Sequence, residues 1–247
     1  MLKYIFLGIL QGLTEFLPVS SSGHLLIAQK ILGLTSEGLA ISIILHLGTA
    51  IALIIFFLKD ILKMLRNAKL MLLIIIVTAI TGVIGVSGKD FFEGLFSSTA
   101  GVAVALVFTG IILILTKKFM HAQRKDLRIK DALVLGLTQG IAIIPGISRS
   151  GITISTLLFR KVDRETSFRF SFLASIPAVL GATILEAKKV SSAFSFDIRN
   201  FALGFIFSLL TGICSLWILK IIINKAKLHY FGYYCIFAAI MTLLFVK

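Results

Sequence analysis

The chain has 247 residues, 58% of them hydrophobic and only 15% charged, with 25 Lys and Arg against 11 Asp and Glu. A water-soluble globule of this size cannot hide so much apolar surface, which excludes a soluble enzyme, a disordered chain and a secreted disulfide scaffold. The net charge of +14 would suit nucleic acid in a polar protein, but beside this apolar bulk it reads as the basic ends of membrane helices, and no nucleic-acid partner is expected.

Taken from the N-terminus, Lys3 is followed by an apolar run that Gln11 and Glu15 interrupt, with no small-residue cleavage site, so no removable signal peptide is expected. The stretch Tyr4–Leu32 is broken at its centre by Pro18 and Ser20-Ser21-Ser22-Gly23. Three apolar segments of spanning length follow, Ala40–Leu58, Lys69–Val86 and Ser98–Thr116. A second broken stretch, Ala132–Phe159, carries Pro145-Gly146 and Ser148-Arg149-Ser150-Gly151 at its centre. Three more spans close the chain, Thr166–Leu185, Phe201–Lys220 and Tyr230–Val246. Two short apolar pieces around a polar, Gly- and Pro-bearing centre mark a re-entrant helix–loop–helix. The expected fold is therefore an all-α integral membrane protein with six transmembrane helices plus two re-entrant segments. Cys214 and Cys235 lie inside apolar runs and form no disulfide framework or metal spacing.

Counting sides with both broken segments re-entrant places 16 of the 25 cations on one face, in the loops 59–69, 117–131, 160–165 and 220–228. Seven lie on the other face: Lys3, Lys30, Lys89, Lys188, Lys189, Arg199 and Lys247. The 16-cation face is then cytoplasmic and both termini lie outside. Reading the broken segments as full spans gives eight crossings and scatters the basic loops. Two cations fall within apolar segments: Arg169, expected to snorkel to the interface, and Arg149.

The broken segments resemble each other. Gln11-Gly12 and Gln139-Gly140 stand 128 residues apart, as do Ser20-x-Ser22-Gly23 and Ser148-x-Ser150-Gly151, while Pro18 and Pro145 are one residue out of register. Such an offset, about half the chain, suggests one membrane domain over 1–247 built from two repeats, about 1–116 and 130–247. Three spans separate the two units, so the second enters from the opposite face. This is an inverted-topology repeat, with broken helices meeting near the midplane.

Ionisable groups in the hydrocarbon core are costly and usually functional. Glu15 is the one carboxylate well inside an apolar segment, and Gln11 lies one helical turn before it on the same face. His24, Arg149 and His46 complete the set. Each serine cluster is placed to cap a new half-helix, whose N-terminus offers N–H groups and a positive dipole end to phosphate. Arg149 adds a guanidinium fork that stays protonated. A divalent metal bridging Glu15 and phosphate would relieve their mutual repulsion. The plainer readings are a buried Glu15–Arg149 ion pair, His24 as a helix-start polar residue, His46 as a satisfied core histidine, the serines as caps, and 117–130 as a solvated loop beside anionic headgroups.

At these residues a resemblance emerges. Gln11-Gly12-Leu13-Thr14-Glu15-Phe16-Leu17-Pro18-Val19-Ser20-Ser21-Ser22-Gly23-His24 resembles the glutamate-rich motif of the undecaprenyl-diphosphatase family, also called bacitracin-resistance proteins. Pro145-Gly146-Ile147-Ser148-Arg149-Ser150-Gly151-Ile152-Thr153 resembles that family's second motif. The resemblance implies a multi-pass enzyme of the bacterial plasma membrane that hydrolyses undecaprenyl diphosphate to undecaprenyl phosphate and inorganic phosphate. That reaction recycles the lipid carrier of wall synthesis and blunts bacitracin. It also implies a site open to the extracytoplasmic side and dependence on a divalent cation, magnesium or calcium. By motif position, Glu15 is the metal and catalytic carboxylate with Gln11 beside it. His24 and Ser21 are the acid/base and nucleophile candidates, with His24 activating water as the other route. Arg149 with Ser148, Ser150 and Thr153, and Ser20 and Ser22 opposite, would hold the diphosphate. Gln11 stands where many members have Glu, so a two-carboxylate metal site is not implied here. The alternative to a hydrolase is a lipid-phosphate transporter or flippase using the same anion site. A homodimer is compatible with the sequence.

Overall fold

A computed structural model describes residues 1–34, 38–88, 99–187 and 198–245. The cations Lys89, Lys188, Lys189 and Lys247, and the expected span ends Ser98 and Val246, lie outside the described residues. Among the described residues the regular elements are helices, beside one isolated β-bridge between Arg124 and Val162: α1 (Leu2–Phe16), α2 (Ser21–Leu32), α3 (Gly38–Phe56), α4 (Leu58–Leu65), α5 (Ala68–Ser87), α6 (Thr99–Leu115), α7 (Ile129–Ile141), α8 (Arg149–Phe159), α9 (Arg164–Ala187), α10 (Ile198–Asn224) and α11 (Tyr230–Phe245). A 3-10 turn, Thr116–Phe119, extends α6. Among the described residues, α3, α5, α6 with its extension, α9 and α10 are long and apolar enough to cross a membrane. The sixth expected span, α11, has 16 described residues, about 24 Å, short of a ~30 Å hydrocarbon core.

Both expected breaks are present. α1 stops at Phe16 because Leu17 precedes Pro18 and takes the extended conformation (φ −64°, ψ 141°) that a following proline enforces. α7 stops at Ile141, and the turn through Pro145 places Gly146 at φ +95° before α8 begins. The two breaks differ in backbone. In the second break the left-handed position falls on a glycine, whereas in the first it falls on Ser20, at φ +69°.

The paired short helices are seated alike. α1 lies on α10 and α7 lies on α5. Gly8 and Gly12 make the first contact close: a Cβ at Gly8 would fall 2.5 Å from the Gly204 carbonyl oxygen. Gly136 and Gly140 do the same for the second, where a Cβ at Gly136 would meet the Ile80 Cβ at 2.9 Å. Each contact carries an interhelical hydrogen bond to a glycine carbonyl, Ser215 Oγ to Gly12 at 2.6 Å and Thr81 Oγ1 to Gly136 at 3.2 Å. Small residues and hydroxyl donors are how helices hold together without a hydrophobic drive between them. α6 and α11 cross where Gly110 and Gly232 each approach the other's carbonyl.

Two expectations are corrected. The stretch 59–69 is not all loop, because α3 ends at Phe56 and Leu58–Leu65 forms α4. Leu58, Leu62 and Leu65 stay exposed on α4 while Ile61 packs on the core, the pattern of a helix lying in the membrane interface. Arg169 does more than snorkel, since it donates to Asp60 on α4 and to Glu165 (2.8 Å), tying α9 to α4. The core below is aromatic, with Phe16, Phe57, Phe168 and Phe172 in mutual edge and stacked contact.

Candidate active site

The C-terminal turn of α1 places Gln11 and Glu15 on one buried face, and four segments converge on the Glu15 carboxylate. Arg149, first residue of α8, donates to Oε1 through Nη2. Ser21, first residue of α2, donates to Oε2 at 2.6 Å. Gln11 Nε2 donates to the same oxygen at 3.0 Å, and His46 Nε2 from α3 stands 3.7 Å away. His46 is oriented by its Nδ1 hydrogen bond, 2.7 Å, to the Ser42 carbonyl. The Glu15 side chain is 5% exposed and that of Arg149 22%, so the pair is buried on the acidic side and reachable on the basic side. Gln11 Oε1 is buried without a hydrogen-bond partner.

The two breaks also touch through backbone. Gly146 N–H donates to Ser20 Oγ at 3.1 Å, and Ser20 Oγ lies 3.3 Å from Ser22 Oγ. Thr109 on α6 holds the second break from outside, donating to the Gly146 carbonyl (3.0 Å) and accepting from the Ser148 N–H (3.1 Å).

The serine clusters were expected to cap both half-helices, and only one does. Ser148 Oγ accepts from the Gly151 N–H at 3.2 Å and caps α8. Ser20 makes no side-chain cap on α2, because its left-handed backbone turns the hydroxyl across to Gly146. Ser150 stays beside Ser148, at 3.4 Å between hydroxyl oxygens, and Thr153 bonds the Arg149 carbonyl (2.7 Å) and Ser171 (2.6 Å). These three hydroxyls set the first turn of α8 without reaching Glu15.

Of the residues named from sequence, Gln11, Glu15, Ser21 and Arg149 therefore meet at one point. His24 does not join them. Its Nδ1 lies 2.8 Å from the Ser20 carbonyl and its Nε2 2.8 Å from the Tyr234 hydroxyl, with the two rings stacked at 5.8 Å. A ring whose Nδ1–H faces a carbonyl presents Nε2 as the acceptor, so Tyr234 donates to it. Tyr234 on α11 went unnoticed in the sequence. His46 was visible there as an ionisable group in an apolar span, but its spacing is that of a core histidine.

For a cation the donor set is spare. Among the described residues no three of His, Cys, Asp and Glu gather into a metal cage. The oxygens present are one carboxylate and, on the side chain bonded to it, the buried and unpartnered Gln11 carbonyl oxygen, a set that would suit a hard divalent ion shared with phosphate oxygens and water rather than an all-protein site.

Beside this site, an apolar groove of about 670 Å³ runs between α1 and α11, lined by Leu10, Leu13, Leu17, Tyr230 and Phe231 among others and bordered by Tyr234.

The chain is similar to known proteins along nearly its whole length. An undecaprenyl-diphosphatase of Halothermothrix orenii is 40% identical over 250 residues, covering 98% of this chain and 96% of its own. One of Carboxydothermus hydrogenoformans is 43% identical over 239 residues, covering 93% and 91%. A third, of Syntrophotalea carbinolica, is 40% identical over 248 residues, covering 95% and 94%. The family model described as "Bacitracin resistance protein BacA" matches residues 4–241, both broken segments included, and the chain belongs to that family.

Proposed function

We propose that the protein is an undecaprenyl-diphosphate phosphatase: with water it converts undecaprenyl diphosphate to undecaprenyl phosphate and inorganic phosphate. Recycling of the lipid carrier for wall synthesis and resistance to bacitracin, which sequesters the diphosphate, follow from that reaction. The observation that carries the chemistry is the Glu15 carboxylate held between Ser21, at 2.6 Å, and Arg149. An incoming diphosphate draws the Arg149 guanidinium onto its own oxygens, where a bidentate fork fits better than on a carboxylate already satisfied by other donors. Glu15 is then free to accept the Ser21 proton. Ser21 Oγ attacks the terminal phosphorus in line, the bond to the bridging oxygen breaks, and undecaprenyl phosphate leaves with that oxygen. Water then attacks the phosphoserine, which returns Ser21 and releases phosphate. In this reading the His24–Tyr234 pair would be the second proton-handling unit, with His24 Nε2 exchanging the Tyr234 hydroxyl for that water. Ser148, by capping α8, and Thr153, by closing its first turn, aim the helix N-terminus and Arg149 at the developing charge.

A divalent cation, magnesium or calcium, accompanies the diphosphate in this reading. Glu15 and Gln11 Oε1 would hold it with substrate oxygens completing its shell, and bound there it would neutralise charge on the diphosphate.

The site sits in a topology of six crossings and two re-entrant pairs, with the basic loops cytoplasmic, both termini outside and the site facing the extracytoplasmic side of a bacterial plasma membrane. Its two halves, about 1–116 and 130–247, are inverted repeats. Gly8, Gln11, Gly12 and Ser20 recur 128 residues later as Gly136, Gln139, Gly140 and Ser148, and α1 on α10 repeats as α7 on α5, all of which supports this reading.

The test is phosphate release from undecaprenyl or farnesyl diphosphate by purified protein in detergent. Wild type should release phosphate, lose that activity in EDTA and regain it with Mg2+, while Glu15→Gln should be inactive throughout. Wild type that releases no phosphate with Mg2+ present would overturn the assignment and favour lipid transport.

A further inference from the structure

The charge on the basic-loop face does more than orient the chain. The 3-10 turn after α6 and the segment leading to α7 fold against the C-terminal end of α8. Between them lies a cavity of about 720 Å³ whose titratable lining is entirely basic: Lys118, His121, Arg124, Arg128, Arg160 and Lys161. Its floor is fixed by Asp131, whose side chain is fully buried. Asp131 takes both Nη atoms of Arg124, at 2.7 and 2.9 Å, the Nε of Arg160, and the Arg128 backbone N–H at 2.9 Å. Arg124 also donates to the Arg160 carbonyl at 2.8 Å. One carboxylate thus preorganises two guanidiniums while neutralising one charge. Asp126, the nearest other acid on this segment, faces outward to Lys69 at 2.7 Å. Among the described residues, Lys118, Arg128 and Lys161 have no carboxylate within ion-pair distance.

Like charges crowded into one concave surface repel, and they focus a field that attracts an anion. Arg124 spends its Nη hydrogens on Asp131 and on the Asp126 and Arg160 carbonyls, so it shapes the cleft, and the Arg128 and Arg160 guanidiniums with Lys118 and Lys161 are the groups that would meet phosphate oxygens. The depth identifies the source of that phosphate. Leu115, Ile129 and Leu133, exposed on the elements that flank the cavity, belong in hydrocarbon, and Phe119 stands in its wall. The cavity therefore lies at the level of phospholipid headgroups. We infer that this cleft binds the phosphate of an anionic phospholipid and so braces the C-terminal end of α8, the helix whose first residue is Arg149. α8 is 11 residues, about 16 Å, so the brace acts one short rigid helix away from the catalytic arginine.

The full-length protein is purified, delipidated and placed in phosphatidylcholine vesicles with or without phosphatidylglycerol, and compared with the triple variant K118Q/R128Q/K161Q. None of these three residues contacts Asp131 through its side chain or reaches the active site. Bound phosphatidylglycerol is read by native mass spectrometry and stabilisation by thermal unfolding. Wild type should retain the lipid and gain at least about 5 °C at ~100-fold excess over Kd. The variant should bind the lipid at least about tenfold more weakly, ~1.4 kcal/mol, and keep no more than about half of the thermal shift, while its phosphate release in micelles is unchanged. If the variant misfolds, wild type decides: raising salt from about 0.1 to about 1 M, which shortens screening from ~10 to ~3 Å, should strip the lipid. Wild-type retention in the variant, retention at high salt, or an equal thermal shift from inorganic phosphate over phosphatidylcholine would each overturn the inference.

Discussion

Removing Arg149 separates structure from chemistry at this site. Arg149→Ala leaves a Glu15 side chain that is 5% exposed without its one close guanidinium. Deleting one member of a buried ion pair costs about 3–5 kcal/mol. Arg149 is itself 22% exposed, and Ser21 and Gln11 still donate to the carboxylate, so the low end, about 3 kcal/mol, applies. For a chain of this size that is a loss of roughly 6–12 °C in unfolding temperature. Adding Glu15→Gln removes the stranded charge in a near-isosteric side chain, and the double variant should return to within about 1 kcal/mol of wild type. Turnover should not return with it. If Arg149 meets the diphosphate, its loss lowers phosphate release by about 10³-fold, or ~4 kcal/mol, in the single variant, and the double variant, which also lacks the proposed base, should be no more active. Thermal unfolding and phosphate release measured on the same purified samples give the two readouts. A double variant that regains both stability and turnover would reduce the pair to a structural clasp and refute the proposed role.

Ser21→Ala deletes the proposed nucleophile but only one hydrogen bond, so stability should fall by about 1 kcal/mol while turnover falls by about 10³-fold and no phosphoserine is trapped from labelled substrate. Near-normal turnover in that variant would pass the attack to water. Tyr234→Phe keeps the stacked ring and loses the 2.8 Å bond to His24 Nε2, so kcat should fall by about 5–10-fold with KM unchanged. An effect on KM alone would make Tyr234 a wall of the neighbouring groove. Gly146→Ala forces an L side chain to φ +95° with its Cβ 2.5 Å from the Val102 carbonyl oxygen, a cost of about 3 kcal/mol or more. Gly181→Ala in α9 meets nothing within 4 Å and should be neutral or stabilising by up to about 1 kcal/mol, so equal losses in the two unfolding curves would contradict the conformation assigned to the second break.

The breaks were legible because Pro18 and Pro145 disfavour helix at the preceding residue and Ser, Gly clusters follow them, a local signal that Pro177, inside α9 and without such a cluster, does not carry. The convergence of Glu15 and Arg149 was legible at one remove, since buried opposite charges seldom stay apart. α4 was hidden by composition. Lys59, Asp60, Lys63 and Arg66 read as loop, although Leu58, Ile61, Leu62 and Leu65 keep the i, i+3, i+4, i+7 spacing of a helix stripe. The single residue by which the prolines are out of register was visible, but the difference in backbone was not: the positive-φ residue is Ser20 in the first break and Gly146 in the second, and the Ser20 hydroxyl goes to Gly146 rather than to its own helix. The His24–Tyr234 pair joins residues 210 positions apart, and no local pattern fixes which face of α11 meets α2.

The Glu15–Arg149 pair poses an energetic question that the proposed reaction answers. Buried ion pairs add little net stability, because desolvation consumes most of the attraction, so stability alone is a weak reason to place one between two broken helices. Exchange is a stronger one. Without substrate, each charge satisfies the other and neither break is left with an unpaired ion. A diphosphate carries more charge than Glu15 and offers oxygens to both guanidinium arms, so Arg149 gains by changing partner. The carboxylate it leaves still receives the Gln11 amide and lies 2.6 Å from the Ser21 hydroxyl. Binding thereby creates the base at the moment it delivers the phosphorus. A glutamate at position 11 would put a second negative charge one turn from Glu15 and hold Arg149 back more strongly. Gln11 stabilises Glu15 without competing for the arginine and keeps one carbonyl oxygen unpartnered, where a cation brought by the substrate would find a ligand.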